Sequence, residues 1–299
     1  MDSIAIFLSK SLSYRKIFFK LLKNLNTYCD LIQNCDALLI GAGAGMGVDS
    51  GLPDFRGKEG FWRAYPQMAQ RGLCFEELAN PIWFRKEPRL AWGFYGHRYQ
   101  LYQKTHPHRG FFILKQWIEK FSKPNFVFTS NVDGHFDKAG WCHHIVECHG
   151  SLMYLQCLEN CGQPIWEFQN SEAETLNISD ETLECKDPLP ACPNCHSIAR
   201  PNILMFSDFY WHPGNYLKQK RRLQEWLKKH ANSKLLIMEF GAGLDVPTVR
   251  SFCELIQCKY ACDMVRINPR DYHAPSGVHA MPMGAKKALE LLNQKLLAD

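Results

Sequence analysis

Residues 37–56 read ALLIGAGAGMGVDSGLPDFR, a short apolar run that leads into a glycine-rich turn. The apolar run predicts a buried strand, and the glycines that follow allow the backbone to approach a ligand closely. Such a turn ahead of a helix N-terminus can bind phosphate through exposed N–H groups. The usual dinucleotide fingerprint is incomplete, because Val48 replaces its third glycine, and a structural turn is an equal alternative. Asp54, Phe55 and Arg56 favour the ligand interpretation, since an acid and a base there could reach over a bound ribose and phosphate.

The rest of the chain alternates helical patterns with short apolar runs, which predicts an α/β fold built on a doubly wound, Rossmann-like parallel sheet. Gly241, Ala242 and Gly243 form a second glycine turn after one of these runs, and ligands in such sheets bind at the carboxyl ends of strands. The predicted strands are residues 37–40, 126–129, 145–147, 234–238 and 264–268.

The domain organisation follows from a break in this alternation. Residues 151–209 carry two cysteine pairs and an irregular acidic stretch, which indicates a small inserted zinc-binding module. The α/β pattern occupies residues 27–150 before it and 210–299 after it. Residues 57–105 are helical and rich in aromatics, and we interpret them either as a lid with an acyl pocket or as core packing between short helices.

Composition excludes several classes of protein. The 299 residues are 46% hydrophobic and 22% charged, which is ordinary for a soluble globular protein. The net charge of +5 and the basic helical face of residues 219–230 are interpreted as solvated surface, so we expect no nucleic-acid partner. No apolar stretch reaches 18 residues, so we expect no membrane span.

The N-terminal extension, residues 1–26, mixes apolar and basic residues, and Asp2 is the single acid among residues 1–25. This composition suits an organelle transit peptide, which would make the protein mitochondrial. It equally suits an amphipathic helix packed on the domain, and we favour that interpretation and a cytoplasmic location.

The thirteen cysteines, without a secretory signal, favour reduced thiols and a metal site over disulfides. Paired thiolates on tight turns suit tetrahedral zinc, and four protein ligands would leave no open position, so the zinc would be structural. Cys185 and His196 lie close enough in sequence to substitute for a ligand. The predicted ligands are Cys157, Cys161, Cys192 and Cys195.

The glycine turn and the segment after it resemble the motifs GAG-x-S and G-I-P-D-F-R of the sirtuins, the Sir2 family of NAD-dependent protein deacylases. The resemblance spans about residues 30–297. Gly47 replaces the family's serine, which removes a hydroxyl from the phosphate loop and keeps the backbone donors. The resemblance implies NAD contacts from Gly43, Ala44, Gly45, Met46, Asp54, Phe55 and Arg56.

Two further motifs resemble the family's chemistry. Residues 129–133 are similar to T-Q-N-I-D, which implies that Asn131 and Asp133 line the nicotinamide pocket, with Ser130 replacing the glutamine. His149 followed by glycine matches the family's general base, and an imidazole has a suitable pKa to accept a hydroxyl proton near neutral pH.

The remaining resemblances concern the adenosine end and the substrate. Gly241, Ala242 and Gly243 stand where the family has G-T-S, and Asn268 would contact the adenosine ribose. Residues 200–208 resemble R-P-x-x-V-x-F-G-E, whose backbone pairs with the substrate peptide as an added strand. Leu204 and Phe206 would line the acyl-lysine tunnel. Sirtuins also carry a zinc module at this place in the chain.

Tyr95 and Arg98 have the Y-x-x-R spacing of the sirtuins that act on succinyl- and malonyl-lysine. A guanidinium can pair bidentately with the acyl carboxylate, and side chains at this spacing share a helix face. The alternative is that both residues belong to an ordinary helix.

The resemblance therefore implies an NAD-dependent protein-lysine deacylase that removes acetyl, succinyl or malonyl groups. Its substrate would be an acylated-lysine protein or peptide, and its products would include nicotinamide and O-acyl-ADP-ribose. Two alternatives stay open: mono-ADP-ribosyl transfer, since hydroxyls are lost at Gly47, Ser130 and Ala242, and a non-catalytic NAD-binding sensor.

Overall fold

A computed structural model of the protein describes residues 24–54, 57–169 and 173–298. The predictions for Phe55, Arg56 and residues 1–23 lie outside the described residues. Of the N-terminal extension, residues 24–26 belong to a helix (α1, residues 24–34), and Leu25 is buried in the core.

The strands in the described residues are β1 (Ala37–Ala42), β2 (Asn125–Thr129), β3 (Ile145–Glu147), β4 (Gly150–Cys157), β5 (Trp166–Glu167), β6 (Ala199–Ile203), β7 (Leu235–Phe240), β8 (Asp263–Ile267) and β9 (Val278–Met281). Six of them form the parallel main sheet in the order β3-β2-β1-β7-β8-β9. This order is that of a doubly wound Rossmann fold, in which the sheet switches direction beside its first strand. The predicted α/β fold is therefore confirmed.

Helices cover both faces of the main sheet, so its central strands are mostly apolar. After α1, the helices in the described residues are α2 (Ala44–Val48), α3 (Gly57–Ala64), α4 (Pro66–Gln70), α5 (Phe75–Leu78), α6 (Trp83–Lys86), α7 (Pro88–Lys104), α8 (Arg109–Lys120), α9 (His135–Lys138), α10 (Gly214–Lys229), α11 (Thr248–Tyr260) and α12 (Ala285–Ala298). In β1, Leu38 and Ile40 pack on one face, against α1, α8 and α12, while Ala37 and Leu39 pack on the other, against α10 and α11.

Two of the differences from the predicted strands have a clear physical cause. The strand predicted to end at residue 238 runs on to Phe240 through Glu239, which is fully buried because Arg266 of β8 pairs with it. A charged residue breaks an apolar run, and its partner lies on another strand. Strand β9 was not predicted because three of its four residues are only half-buried, so no apolar run marks it.

The cysteine-rich insertion lies between β3 and β7 in the chain. In the described part of this segment, β4, β5 and β6 form an antiparallel sheet in the order β5-β4-β6. Gly150 opens β4 with φ of +76°, and a Cβ there would lie 2.1 Å from Asn202 O. Glycine therefore permits the close pairing of β4 with β6 directly after His149.

The helical segment from α3 to α7 shares a core with this small sheet. Phe61, Phe84, Trp92 and Phe94 are fully buried, and they belong to one cluster with Leu152 and other residues of β4 and β6. Of the two interpretations offered for this aromatic segment, core packing describes these four side chains. Among the residues described, no helix combines the length and apolar character needed to cross a membrane.

Candidate active site

A cavity of about 210 Å³ opens where β1, β2 and β7 end, between the main sheet and the helical segment. It lies at the switch point of the sheet, where ligands of doubly wound folds bind. Its lining residues are Gly43, Ala44, Gly47, Leu52, Pro53, Phe75, Glu76, Arg98, Tyr102, Ser130, Asn131, Val132, Asp133, His149, Ala242, Gly243, Asp245, Val246 and Val249.

The two glycine turns pack against each other. A Cβ on Gly45 would lie 2.7 Å from Gly241 Cα, and the Gly45 N–H donates to Gly241 O at 3.1 Å. The N–H groups of Gly43 and Met46 also donate within the protein, to Phe240 O and Gly43 O. These backbone donors are therefore engaged within the protein, and the NAD contacts predicted for Gly45 and Met46 stay predictions. Gly45 and Gly241 allow the ends of β1 and β7 to pack closely. Of Gly43, Gly45 and Met46, only Gly43 belongs to the described lining of the cavity.

The segment after β2 brings three predicted residues into the cavity, namely Ser130, Asn131 and Asp133. Thr129 Oγ1 accepts from the Asn131 N–H at 3.0 Å, which fixes the turn. Asp133 Oδ1 accepts from the His135 N–H at 2.9 Å. Asn131 Nδ2 is buried without a hydrogen-bond partner among the described residues. A buried donor of this kind is costly to leave unpaired, so the cavity offers an amide donor suited to a ligand oxygen.

His149, the predicted base, lines the same cavity immediately before β4. Its Nε2 lies 3.2 Å from Thr248 Oγ1, at the start of α11. Burial lowers the pKa of this imidazole below its ordinary value of 6.5. The ring is therefore neutral at physiological pH and able to accept a proton.

Asn268 and Asp54 lie outside the described lining of the cavity. Asn268 is fully buried, its Nδ2 donates to Ala242 O at 3.0 Å, and its Oδ1 accepts from two N–H groups of the following loop. The side chain therefore holds the second glycine turn, and its contact with the adenosine ribose stays a prediction. Asp54 pairs with Arg270 and does not belong to the described lining of the cavity.

Of the predicted pair, Arg98 lines the cavity together with Tyr102, while the Tyr95 ring lies 5.7 Å from the Arg98 Cζ and outside the described lining. The role of Tyr95 and Arg98 in acyl recognition stays a prediction. Arg98 lines the cavity, and its Nε and Nη2 donate to Tyr102 Oη at 3.1 and 2.9 Å. Tyr95 is buried outside the described lining, and its hydroxyl has no hydrogen-bond partner among the described residues. The Tyr95 ring stacks on the Phe84 ring with their centroids 5.7 Å apart, so packing holds the Tyr95 side chain away from the cavity. Tyr102 could have been found from the sequence, because it lies four residues after Arg98 on the same helix.

Leu204 and Phe206 lie beside the cavity, but the described lining does not include them. The Leu204 N–H donates to His149 O, and the Phe206 N–H donates to Ala79 O, both at 2.9 Å. Leu204 is 39% exposed, and the Phe206 ring meets Phe75 edge-on at 6.2 Å. The segment therefore supports the cavity wall and the backbone of His149, and the tunnel role of its side chains stays a prediction.

The four predicted cysteine ligands come together at one end of the small sheet. The Sγ atoms of Cys157 and Cys195 are 3.5 Å apart, those of Cys161 and Cys192 are 3.6 Å apart, and all four lie within 4.8 Å of one another. Tetrahedral zinc with bonds of about 2.3 Å to each sulfur separates the sulfurs by roughly 3.8 Å, so the cluster fits this ion.

The surroundings of the cluster match those of a metal site and settle the alternatives. The Glu159 N–H donates to Cys157 Sγ at 3.3 Å, and Asn194 Nδ2 donates to Cys161 Sγ at 3.4 Å. Such donors stabilise thiolate ligands. Cys185 is buried elsewhere, with its Sγ directed to Lys186 O, and His196 is not part of the cluster.

The fold and the site together define a Rossmann-type protein with a ligand cavity at its switch point and a four-cysteine module in the same chain. The model of the Sir2 family matches residues 43–246, more than half of the sequence. The chain belongs to the Sir2 family, as its motifs predicted.

Similar proteins agree with this assignment. An "NAD-dependent protein deacylase" of Aquifex aeolicus is 34% identical over 167 residues, which cover 56% of this chain and 59% of that protein. The "NAD-dependent protein deacylase 1" of Caldanaerobacter subterraneus is 30% identical over 190 residues, covering 64% and 66%. The chain thus spans just under two thirds of the length of these relatives. The crystal structure of a Sir2 homologue–NAD complex superposes with a TM-score of 0.67 at 23% identity, covering 91% of this chain and 94% of that one, which supports the fold.

Proposed function

We propose that this protein is an NAD-dependent protein-lysine deacylase, which releases nicotinamide and O-acyl-ADP-ribose. The observation that carries the proposal is the buried, unpartnered Nδ2 of Asn131, in one cavity with Asp133 and His149. An amide donor beside a carboxylate acceptor is complementary to a carboxamide such as that of nicotinamide. The names of the two bacterial relatives support the same activity.

Two groups of described residues would bind NAD. Gly43 and Ala44 with Ala242 and Gly243 form the walls at the ends of β1 and β7, where a dinucleotide would lie. Asn131 and Asp133 would hold the carboxamide, the amide as donor and the carboxylate as acceptor. Bound NAD supplies an electrophilic ribose carbon with nicotinamide as its leaving group.

His149 would act as the general base. Its pKa is lowered by burial, so the imidazole is neutral and can take a proton from a ribose hydroxyl in the cavity. The contact between its Nε2 and Thr248 Oγ1 limits rotation of the ring before a ligand binds. The carbonyl of His149 accepts from the Leu204 N–H, which fixes the backbone on the other side.

The acyl group is the finer part of the proposal. Arg98, which is 6% exposed, places its guanidinium at the wall of the cavity. The Tyr102 hydroxyl accepts two hydrogen bonds from this guanidinium. A buried cation favours a carboxylate ligand over a neutral one. We therefore propose succinyl- or malonyl-lysine as the preferred substrate, carried by a protein or peptide.

The zinc module would be structural. The four clustered thiolates leave no position for water or substrate on a tetrahedral ion. The division of the chain at residues 150 and 209, the cytoplasmic location and the predicted contacts of individual site residues stay predictions.

The test is mass spectrometry of acetyl- and succinyl-lysine peptides incubated with the protein and NAD. Deacylation gives the free-lysine peptide together with O-acyl-ADP-ribose. A peptide or protein that gains the mass of ADP-ribose would replace the proposal with mono-ADP-ribosyl transfer. Unchanged peptides with measurable NAD binding would indicate a sensor.

A further inference from the structure

His108 lies at the start of α8, outside the motifs found in the sequence, and is buried to 7% exposure. Its Nδ1 accepts from the Gly110 N–H at 2.9 Å, and its Nε2 lies 3.1 Å from Met46 O. A backbone N–H only donates and a carbonyl only accepts, so Nδ1 must be unprotonated and Nε2 must carry the hydrogen. The ring is therefore neutral, and burial lowers its pKa to about 4.

The backbone of His108 makes a second contact with the same loop. Its N–H donates to Ser50 Oγ at 3.0 Å. Met46 and Ser50 flank residues 47–49, so the single residue that caps α8 holds the loop at two points. The loop is also held from α12, because the Lys286 N–H donates to Asp49 Oδ2 at 2.8 Å.

Gly110 permits this arrangement. A Cβ at this position would lie 2.5 Å from His108 Cε1 and 2.7 Å from Leu289 Cδ1. The imidazole can therefore fold back over the first turn of α8 only because residue 110 has no side chain. One ring nitrogen then caps the helix while the other reaches the glycine loop.

The Met46 carbonyl lies close to two glycines that line the cavity. The Met46 N–H donates to Gly43 O at 3.0 Å, and Gly47 is the next residue. Both glycines line the cavity, whereas His108 is not part of the described lining. A Cβ on Gly47 would lie 3.1 Å from Asp133 Oδ2, so displacement of this loop also changes the space beside that carboxylate.

We propose that His108 is a positioning residue for the NAD-binding loop, residues 43–50: its Nε2–H holds the Met46 carbonyl and its backbone N–H holds Ser50. This inference rests on the proposed function, because it takes NAD as the ligand of the cavity. The N-terminal end of α8 would thereby fix the position of the loop relative to the main sheet. His108 touches no reacting atom and acts through the loop.

The test variant is His108→Asn. Asparagine is a strong N-cap, so its Oδ1 replaces Nδ1 as the acceptor for Gly110, while nothing replaces the Nε2 donor. Leaving a buried carbonyl unpaired costs about 1–3 kcal/mol, so we expect the Kd for NAD, measured by calorimetry, to rise about 5- to 150-fold. At saturating NAD, kcat and the KM for the acyl-peptide should change by less than about twofold, since the loop adopts its position once NAD is bound.

The matched control is Trp117→Phe on the same helix. It removes the buried hydrogen bond from Trp117 Nε1 to Asn293 Oδ1, 2.8 Å long, which does not touch the loop. We expect a lower Tm and an unchanged Kd for NAD. If this variant weakens NAD binding as much as His108→Asn, general destabilisation explains both and the inference is overturned. It is equally overturned if His108→Asn binds NAD as tightly as the unmutated protein.

Two further arms keep the outcomes distinct. Should His108→Asn not fold, Ser50→Ala removes the second anchor and should raise the Kd for NAD about threefold; an unchanged Kd would contradict the inference. Calorimetry reports NAD binding without turnover. NAD binding without deacylation would therefore overturn the deacylase proposal alone, and absence of NAD binding by the unmutated protein would overturn both.

Discussion

His149 Nε2 lies 3.2 Å from Thr248 Oγ1, although the two residues are 99 positions apart in the chain. His149 stands at the entrance to the small antiparallel sheet, and Thr248 begins α11, which packs on the main sheet. The contact therefore joins the small sheet to a helix of the main sheet at the cavity. The orientation of the proposed base, His149, depends on the first residue of α11.

His149→Ala should abolish deacylation, because loss of general base catalysis costs on the order of 10²-fold or more in kcat. NAD binding should survive, since the imidazole acts after the ligand is in place. The measurement is steady-state turnover of an acyl-peptide together with calorimetry for NAD. His143→Ala, at an exposed histidine, is the control and should keep full activity. A His149→Ala variant that retains more than about a tenth of wild-type turnover would show that another group is the base.

Thr248→Val should lower kcat about 2- to 10-fold, the equivalent of one neutral hydrogen bond of about 0.5–1.5 kcal/mol. Valine has a similar shape to threonine and removes only the hydroxyl that contacts His149. Thr248→Ser keeps the hydroxyl and should restore most of the activity. Equal kcat values for the valine variant and the unmutated protein would mean that Thr248 does not orient the ring.

The pH dependence follows from the buried His149. Its pKa lies below the ordinary 6.5, and only the neutral imidazole accepts a proton. Deacylation should therefore persist as the pH falls through 6.5, and the acid limb of the kcat profile should appear only at a lower pH. The profile should be recorded with an acetyl-peptide, whose acyl group does not titrate. An acid limb centred at or above pH 6.5 would contradict the assignment.

Arg98→Met should reverse the acyl preference, because it removes the cation at the cavity wall and keeps an apolar stem. We expect kcat/KM to favour succinyl- over acetyl-lysine peptide before the change and acetyl- over succinyl-lysine after it. Tyr102→Phe should weaken desuccinylation about 2- to 10-fold, since the phenol accepts two hydrogen bonds from Arg98.

Tyr95→Phe is the matched control for Tyr102→Phe. The Tyr95 hydroxyl has no hydrogen-bond partner in the described part of the chain, so its removal should leave desuccinylation unchanged. A larger effect at Tyr95 than at Tyr102 would support the pairing predicted from the sequence. Lower activity on succinyl- than acetyl-lysine in the unmutated protein would refute the acidic-acyl proposal.

Cys192→Ser should reduce the zinc content, measured by elemental analysis, and lower the thermal stability, because it removes one of four clustered thiolates. Cys185→Ser is the comparison, since Cys185 is equally buried but lies outside the cluster. It should retain one zinc per chain. Absence of zinc from the purified unmutated protein, or full stability of Cys192→Ser, would remove the structural zinc from the proposal.

Local patterns in the sequence predicted much of the fold. The strand predicted at residues 145–147 matches Ile145–Glu147, and the paired cysteines come together as their spacing indicated. Both features depend on neighbours a few positions away, which is why periodicity and spacing reveal them. Membership in the Sir2 family likewise followed from motifs of adjacent residues in a fixed order.

Other features depend on contacts between distant segments. Gly45 packs on Gly241, and Asn268 donates to Ala242 O, so residues predicted to contact a cofactor are engaged within the protein. A motif indicates that a glycine or an asparagine is needed at a position, but the partner it meets comes from another strand. His108 was missed for the same reason, because its partner loop precedes it by about sixty residues.

The sequence by itself determined that Arg98 shares a helical face with tyrosines three residues before it and four residues after it, because the pitch of an α-helix sets the angles between side chains. Only the tertiary structure decided which tyrosine meets the cavity. Tyr95 stacks on Phe84 in the core of the small sheet, which turns α7 so that Tyr102 reaches the cavity with Arg98. The rotation of a helix about its axis is set by the side chains that it packs against, and these come from elsewhere in the chain.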